Sequence, residues 1–229
     1  MRLLVLGRGK TGGLVAELAR ERGHSVAVLG GAENSAGSAL TPQFLADFDA
    51  AIDFTTPDAA LKNLELLLRA GARVVVGTTG WYQHLPPITL LALQHHASLL
   101  HGTNFSVGVQ AFFRAARVLA QSLPKYSFSI RETHHVAKKD APSGTALTLA
   151  RVVQQALGTG EIQIESMREG DVAGLHVLEA RSANDLITLQ HDAFSRRGFA
   201  EGAVRAAEWL VLHEKAGVWD FSDIAEKLG

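Results

Sequence analysis

The sequence predicts an α/β protein in two parts: a parallel sheet flanked by helices, and a smaller α+β part with an open mixed sheet. Two observations lead there. Through the first 105 residues, short apolar runs alternate with segments of helical periodicity, the order that builds a parallel sheet. Between residues 162 and 192 three strand-like runs follow one another, which marks an α+β region. A chain of 229 residues is long enough to enclose two such cores.

The elements follow in order. Arg2 to Leu6 is a short apolar run suited to a buried strand. Gly7-Arg8-Gly9-Lys10-Thr11-Gly12 then fits G-x-G-x-x-G, and Leu14, Val15 and Leu18 continue at helical spacing until Gly23. Ser25 to Leu29 is the next strand, completing a β–α–β unit whose glycine turn can rest a pyrophosphate on a helix N-terminus. Gly30 to Pro42 reads as a loop, Gln43 to Phe48 as a short helix, and Ala50 to Phe54 as a strand. Thr56-Pro57-Asp58 is a helix start, with a cap, a first-turn proline and an acid near the positive end; that helix runs to Arg69 and stops before Gly71. Arg73 to Val76 is a β-branched strand opening into Gly77-Thr78-Thr79-Gly80. A helix follows Pro87, and Ser98 to His101 is the next strand, ending in Gly102-Thr103-Asn104-Phe105. Both of these loops fall at the C-terminal ends of strands, where parallel sheets bind ligands.

A helix from Val107 to Gln121 opens the second part, and a strand from Tyr126 to Arg131 follows. Next come a polar loop, a helix from Ala146 to Leu157, and strands over Ile162–Met167, Leu175–Arg181 and Leu186–Asp192. Phe199 to Lys215 is a long helix and Phe221 to Leu228 a short last one. The expected division is a dinucleotide-binding domain over 1–105 and 206–229, and a substrate-binding and oligomerisation domain over 106–205.

Composition excludes several classes of function. A net charge of −1 gives no electrostatic reason for nucleic-acid or membrane binding. With no cysteine, neither a disulfide framework nor a thiolate metal site is available. No apolar run approaches the ~18 residues of a membrane span, so the expected location is cytoplasmic. His95 and His96 are adjacent in a helical segment and do not share a face, and no metal site is expected.

The chemistry concentrates between Glu132 and Ala146, E-T-H-H-V-A-K-K-D-A-P-S-G-T-A. Two histidines and two lysines precede a helix whose start is signalled by Pro142 and Ser143, with Gly144 allowing close approach to the backbone. A helix N-terminus binds anions, so cations beside it point to a carboxylate or phosphate ligand with acid–base groups at hand. Strand alternation sets Glu132 and His134 on one face, where the acid either tunes the imidazole or forms a structural pair with it. Lys138 and Lys139 read either as a solvated pair or, beside this helix start, as ligands of the same anion.

This string resembles the signature of the 4-hydroxy-tetrahydrodipicolinate reductase family, also called dihydrodipicolinate reductase. Gly77-Thr78-Thr79-Gly80, Asn104-Phe105-Ser106-Val107-Gly108-Val109 and Gly202-Ala203-Val204-Arg205 match the same family in the same order. The resemblance implies a Rossmann-like domain binding NADPH or NADH and an enzyme that reduces a cyclic dicarboxylate after loss of water, in lysine and diaminopimelate biosynthesis. His134 matches a proton donor or acceptor and Lys138 a proton donor, while His135, Ser143, Gly144 and Thr145 fall at the substrate-binding stretch. The nucleotide is expected on Gly7, Arg8, Gly9, Lys10, Thr11 and Gly12, on Gly77, Thr78 and Thr79, and on Gly102, Thr103, Asn104 and Phe105. The family is typically tetrameric, so a homo-oligomer is implied. Three features depart from its pattern: Lys10-Thr11 replaces Arg-Met, the tip after the second strand is Gly30-Gly31 without an acid, and the substrate domain is trimmed. The competing functions are another nicotinamide-dependent amino-acid dehydrogenase of this architecture, which would not need the lysine–histidine string, and a non-catalytic nucleotide sensor, which would have lost His134 or Lys138.

Overall fold

The computed structural model describes residues 1–158, 160–213 and 215–228. The chain divides into two compact units, Met1–Val107 with Arg197–Gly229, and Gly108–Arg196. Among the described residues no helix is long and apolar enough to cross a membrane.

The first unit holds β1 (Arg2–Leu6), α1 (Lys10–Glu21), β2 (Ser25–Leu29), α2 (Pro42–Leu45), β3 (Ala50–Asp53), α3 (Pro57–Arg69), β4 (Arg73–Val76), α4 (Leu85–Gln94) and β5 (Ser98–His101). After the second unit, α7 (Arg197–Leu212), β10 (Gly217–Asp220) and α8 (Phe221–Ile224) complete it. Its sheet is parallel throughout, in the order β10-β5-β4-β3-β1-β2. Alternation along the strands supplies both faces. Leu3, Val5 and Ile52 pack with α1 and α7, whereas Leu4, Leu6 and Ala51 pack with α3 and α4.

Four details differ from the sequence expectations. β10 falls between the last two expected helices, where the sequence singles out no element; its strand character comes from pairing with β5. α4 begins at Leu85 rather than after Pro87, since prolines fit the first helical positions, where the N–H is not needed. α2 covers only Pro42–Leu45, capped by the Thr41 side chain. The return to the first unit comes at Arg197 rather than 206. α7 is one continuous helix whose buried apolar side chains, from Ala200 to Leu210, join that core. The expected helix to Lys215 includes Glu214, and the expected domain to 229 includes Gly229; both lie outside the described residues.

The second unit holds α5 (Val107–Ser122), whose first residue belongs to the other unit, then β6 (Ser127–His134), α6 (Gly144–Leu157), β7 (Gln163–Arg168), β8 (Gly174–Arg181) and β9 (Leu186–Ala193). The sheet order is β7-β6-β8-β9, with β7 parallel to β6 and the other pairs antiparallel, an open mixed sheet. β6 runs three residues past the expected end. Glu132 and His134 continue the buried alternation of Phe128 and Ile130, and pairing with β7 and β8 carries the ladder through this polar stretch. Phe128 and Ile130 pack with Phe112 and Phe113 of α5 and Leu149 and Val153 of α6. One sheet face therefore changes from apolar core to polar site along a single strand.

Candidate active site

In the second unit the register brings together residues that are remote in sequence. Glu132 lies opposite His176 of β8, His176 opposite His191 of β9, and His134 beside Arg168 of β7. Glu132 is fully buried; its Oε2 stands 2.5 Å from His134 Nδ1, and its Oε1 accepts a 3.1 Å hydrogen bond from Arg168. Glu132 Oε2 and His134 Nδ1 thus face each other directly within the buried cluster. The His134 and His176 rings meet edge to face, with centroids 5.1 Å apart.

Burial alone would raise the Glu132 carboxyl, but hydrogen bonds from Ser166, Arg168 and Ser143, together with the His134 charge, hold it below the usual range. Burial pushes His134 down; Glu132 opposes this, and the Lys138 and Arg168 cations add to it, leaving the imidazole below its ordinary value. Burial, with His134 beside it, pushes His176 down to about 4. Near neutral pH the cluster is thus an ionised acid and two neutral imidazoles. A carboxylate facing Nδ1 favours the tautomer with its proton there, which leaves His134 Nε2 as an acceptor.

The turn after β6 supplies the cation. Lys138 Nζ donates to both carboxylate oxygens of Asp140, at 2.8 and 2.9 Å, and this pairing holds the Asp140 carboxyl low. The turn leads into α6, where Ser143 is the N-cap and accepts from the Ala146 N–H. Ser143 is nearly inaccessible, with its Oγ 3.1 Å from His176 Nε2, so its hydroxyl serves the scaffold of the helix end. Gly144 opens the first turn, exposed, with nothing within 4 Å of the place a Cβ would take; Thr145 and His135 are half-buried nearby in the chain. This is an anion-accepting helix end beside an acid, an imidazole and an ammonium group. Glu132, His134 and His176 also place ligand-type atoms within 4.8 Å of one another. Arg168 already sets a full positive charge on Glu132, which disfavours a metal cation there.

In the first unit the strand order reverses between β1 and β3, and the crevice expected at such a point is present. A cavity of about 310 Å³ is lined by Gly7, Arg8 and Gly9, the Leu29–Gly31 tip, Phe54–Thr56 and Asn63. A neighbouring depression is lined by Gly9, Lys10 and Thr11 together with Gly77, Thr78 and Thr79. Gly7 has φ +105°, and a Cβ there would strike the Phe54 carbonyl; a Cβ on Gly12 would strike Gly7 itself. These two glycines let the turn close tightly. Gly9, the N-cap of α1, brings no side chain to the helix end, leaving first-turn amides for a ligand. This cradle fits a dinucleotide pyrophosphate.

The remaining loop divides its roles. Thr103 is exposed, Asn104 is buried and accepts from the Ser106 N–H, and Phe105 packs in the core against Phe221 and Phe54. Gly102 passes so close to Phe221 that a Cβ would lie 2.7 Å from the Phe221 Cβ. Gly102 and Phe105 therefore seat the loop.

Several contributors escaped the sequence reading. Buried Asp53 accepts from the Thr55 N–H and hydroxyl, the Thr78 hydroxyl and the Asn63 amide, at 2.7 to 3.0 Å, and Asn63 accepts in turn from Asn34. One carboxylate thus joins three loops around the crevice; an acid at the end of an apolar strand was its only sequence signal. Glu33, by contrast, is visible in the sequence as the acid just past the Gly30-Gly31 tip; it folds back onto the β2 tip, accepting from the Gly30 N–H at 3.0 Å and pairing with Arg8 at 2.7 Å. His176 was detectable as a lone histidine at a buried period-2 position beside Leu178 and Ala180.

The comparisons with known proteins cover both units. Residues 1–105 match the family model "Dihydrodipicolinate reductase, N-terminus", and residues 108–225 match "Dihydrodipicolinate reductase, C-terminus". A 4-hydroxy-tetrahydrodipicolinate reductase of Natronomonas pharaonis is 35% identical, over 97% of this chain and 99% of its own length. One from Christiangramia forsetii is 34% identical, over 100% and 99%. Among solved structures, a dipicolinate-bound dihydrodipicolinate reductase from Paenisporosarcina sp. TG-14 superposes with a TM-score of 0.81 at 24% identity, covering 98% of this chain and 99% of that one.

Proposed function

The chain belongs to the dihydrodipicolinate reductase family, and from that membership we infer that it reduces 4-hydroxy-tetrahydrodipicolinate to tetrahydrodipicolinate, in the route to diaminopimelate and lysine. The observation that carries the assignment to chemistry is the convergence of Glu132, His134 and Lys138 at the start of α6. The reaction releases one water and takes up one hydride and one proton. Reduced nicotinamide, held on the Gly7–Gly12 turn and the Gly77–Thr79 loop, supplies the hydride. The substrate's carboxylates rest on the α6 N-terminus at Gly144 and Thr145, with His135 beside them. Neutral His134 accepts a ring proton at Nε2, its charged form stabilised by Glu132, and returns it to the departing hydroxyl, which leaves as water; Lys138, leaving Asp140, gives the one proton that accompanies hydride addition. A cytoplasmic homotetramer completes the reading, on the strength of the family resemblance. Purified protein should oxidise NADH or NADPH only when enzymatically generated 4-hydroxy-tetrahydrodipicolinate is supplied; no substrate-dependent loss of nicotinamide absorbance would remove the assignment.

Use of both nicotinamides is part of the proposal. An acid at the tip of the second strand favours NADH by bonding the ribose 2′-hydroxyl, and a cation there favours the 2′-phosphate of NADPH. Here Glu33 and Arg8 offer one of each, paired with each other and both well exposed, so neither cofactor meets a committed partner. Exposed pairs are weak and screened by salt. The expected kcat/KM values lie within about tenfold of each other, with NADPH at least as good at low salt and its advantage shrinking as salt rises. Glu33→Gln should widen the preference for NADPH and Arg8→Ala should reverse it. A preference for NADH above tenfold in the wild type would place Glu33 on the ribose instead.

A further inference from the structure

We propose that Arg168 is a positioning residue of the reductase: its guanidinium clamps the Lys138–Asp140 turn to the Glu132–His134 end of β6. The inference rests on the proposed reductase chemistry. Arg168 is the last residue of β7, and because β7 runs parallel to β6, its side chain emerges at the end of the sheet that carries His134. Four of its hydrogen bonds are made to the protein. Nη1 donates to Glu132 Oε1 at 3.1 Å and to the Met167 carbonyl at 2.6 Å. Nη2 donates to the Asp140 carbonyl at 2.6 Å and Nε to the Lys138 carbonyl at 3.3 Å.

The directions of these bonds define the function. One branch holds the acid that faces His134; the other two hold the backbone on either side of Lys139. The Lys138 side chain is steered by Asp140, whose own backbone Arg168 fixes. The turn has few other anchors: Lys138 N–H to the His135 carbonyl at 3.0 Å, and Val136 N–H to the Gly170 carbonyl at 3.2 Å. A planar fork of donors satisfies four acceptors at fixed angles, which a single ammonium group does not reproduce, so lysine is a poor substitute here.

Arg168 also acts through charge. The groups facing His134 are Glu132 on its own strand, Lys138 and Asp140 in the turn, Arg168 from β7 and His176 from β8, with His191 of β9 behind His176. Removing Arg168 takes away one of the cations that discourage protonation of His134. The imidazole then protonates at higher pH, and the acid limb of the activity profile moves up with it. A residue that merely supported the fold would lower activity without moving that limb.

The experiment compares wild type, Arg168→Met, Arg168→Lys and Arg168→Ala, each assayed with generated substrate across pH and checked for folding by circular dichroism. Loss of a fixed near-attack geometry costs on the order of 10²-fold. We expect kcat to fall by roughly 10- to 100-fold in the methionine and lysine variants. KM for NADPH should stay within about twofold, because the nucleotide cradle lies in the other unit. The acid limb of kcat/KM should shift to higher pH in the methionine variant. Guanidinium ion added to Arg168→Ala should restore part of the lost rate. An unmoved acid limb in folded Arg168→Met overturns the inference whatever its kcat, as does wild-type kcat; should that variant not fold, wild-type kcat in Arg168→Lys does so. An inactive wild type would instead remove the reductase assignment itself.

Discussion

Lys138→Met and His134→Gln should each lower kcat by about 10²–10⁴-fold, the usual contribution of a general acid or base, while NADPH binding stays close to wild type. The reason lies in how the second unit divides its charges. Glu132 is held ionised by Ser166, Arg168 and Ser143, whereas His134 is kept below its ordinary pKa by burial and two neighbouring cations. Two groups with opposite protonation habits then serve one small substrate. Lys138 carries a proton that it can release, and its partner Asp140 is largely exposed, so leaving that ion pair costs little. For His134 the sign follows from the depressed pKa. The neutral, working form persists as pH falls through the normal imidazole range, and activity declines only below it. Thr145→Val should behave differently, raising KM for the dicarboxylate with a smaller effect on kcat, because it removes a binding contact formed before the transition state. Steady-state kinetics from pH 5 to 9, with cofactor binding followed by nicotinamide fluorescence, separates these outcomes. Near wild-type kcat in both proton-transfer variants would move the acid–base roles to other residues.

What could be read from the sequence and what could not divide along a physical line. The β-branched and apolar runs at Leu3–Leu6, Ala50–Ile52 and Val74–Val76 are buried on both faces of a parallel sheet, so their composition alone announces them. The glycine turn and the string from Glu132 to Ala146 are local, with spacing fixed by one turn and one helix start, and both were legible. Strand register is not local. Arg168, His176 and His191 reach the site only because β7, β8 and β9 align with β6 in a particular register, and no spacing along the chain encodes that alignment. Asp53 is a similar case: its four donors come from Thr55, Asn63 and Thr78, which meet only once α3 and the turn after β4 are in place. Strand alternation puts Glu132 and His134 on one face, but the sequence does not announce their burial, which makes sense only with Arg168 and Ser143 beside them.

Gly202→Ala should destabilise the first unit by about 2–3 kcal/mol, the cost of forcing a methyl group into a packed interior, and lower its melting temperature by about 5–10 °C. Gly202 lies in the middle of α7, fully within the helix, where alanine would ordinarily be the better residue. Here a Cβ would overlap the Phe105 carbonyl oxygen, which is backbone and has no rotamer to yield, and would come within 3.3 Å of Phe221. α7 would have to lift from the sheet, disturbing its buried contacts along Ala203, Ala206, Ala207 and Leu210. That close approach gives a physical reason for a glycine opening the Gly202-Ala203-Val204-Arg205 stretch. It also ties α7 to the loop after β5, so the variant should loosen Asn104 and weaken NADPH binding as well. Gly198→Ala, near the start of the same helix, is the control. Its Cβ would meet only the Ser106 Oγ at 3.8 Å, an ordinary contact, and stability should be unchanged or slightly raised. All three tryptophans, Trp81, Trp209 and Trp219, lie in the first unit, so thermal melts followed by tryptophan fluorescence report on that unit alone. If Gly202→Ala melted at the wild-type temperature, α7 would have room to move at no cost, and the close approach would have no energetic role.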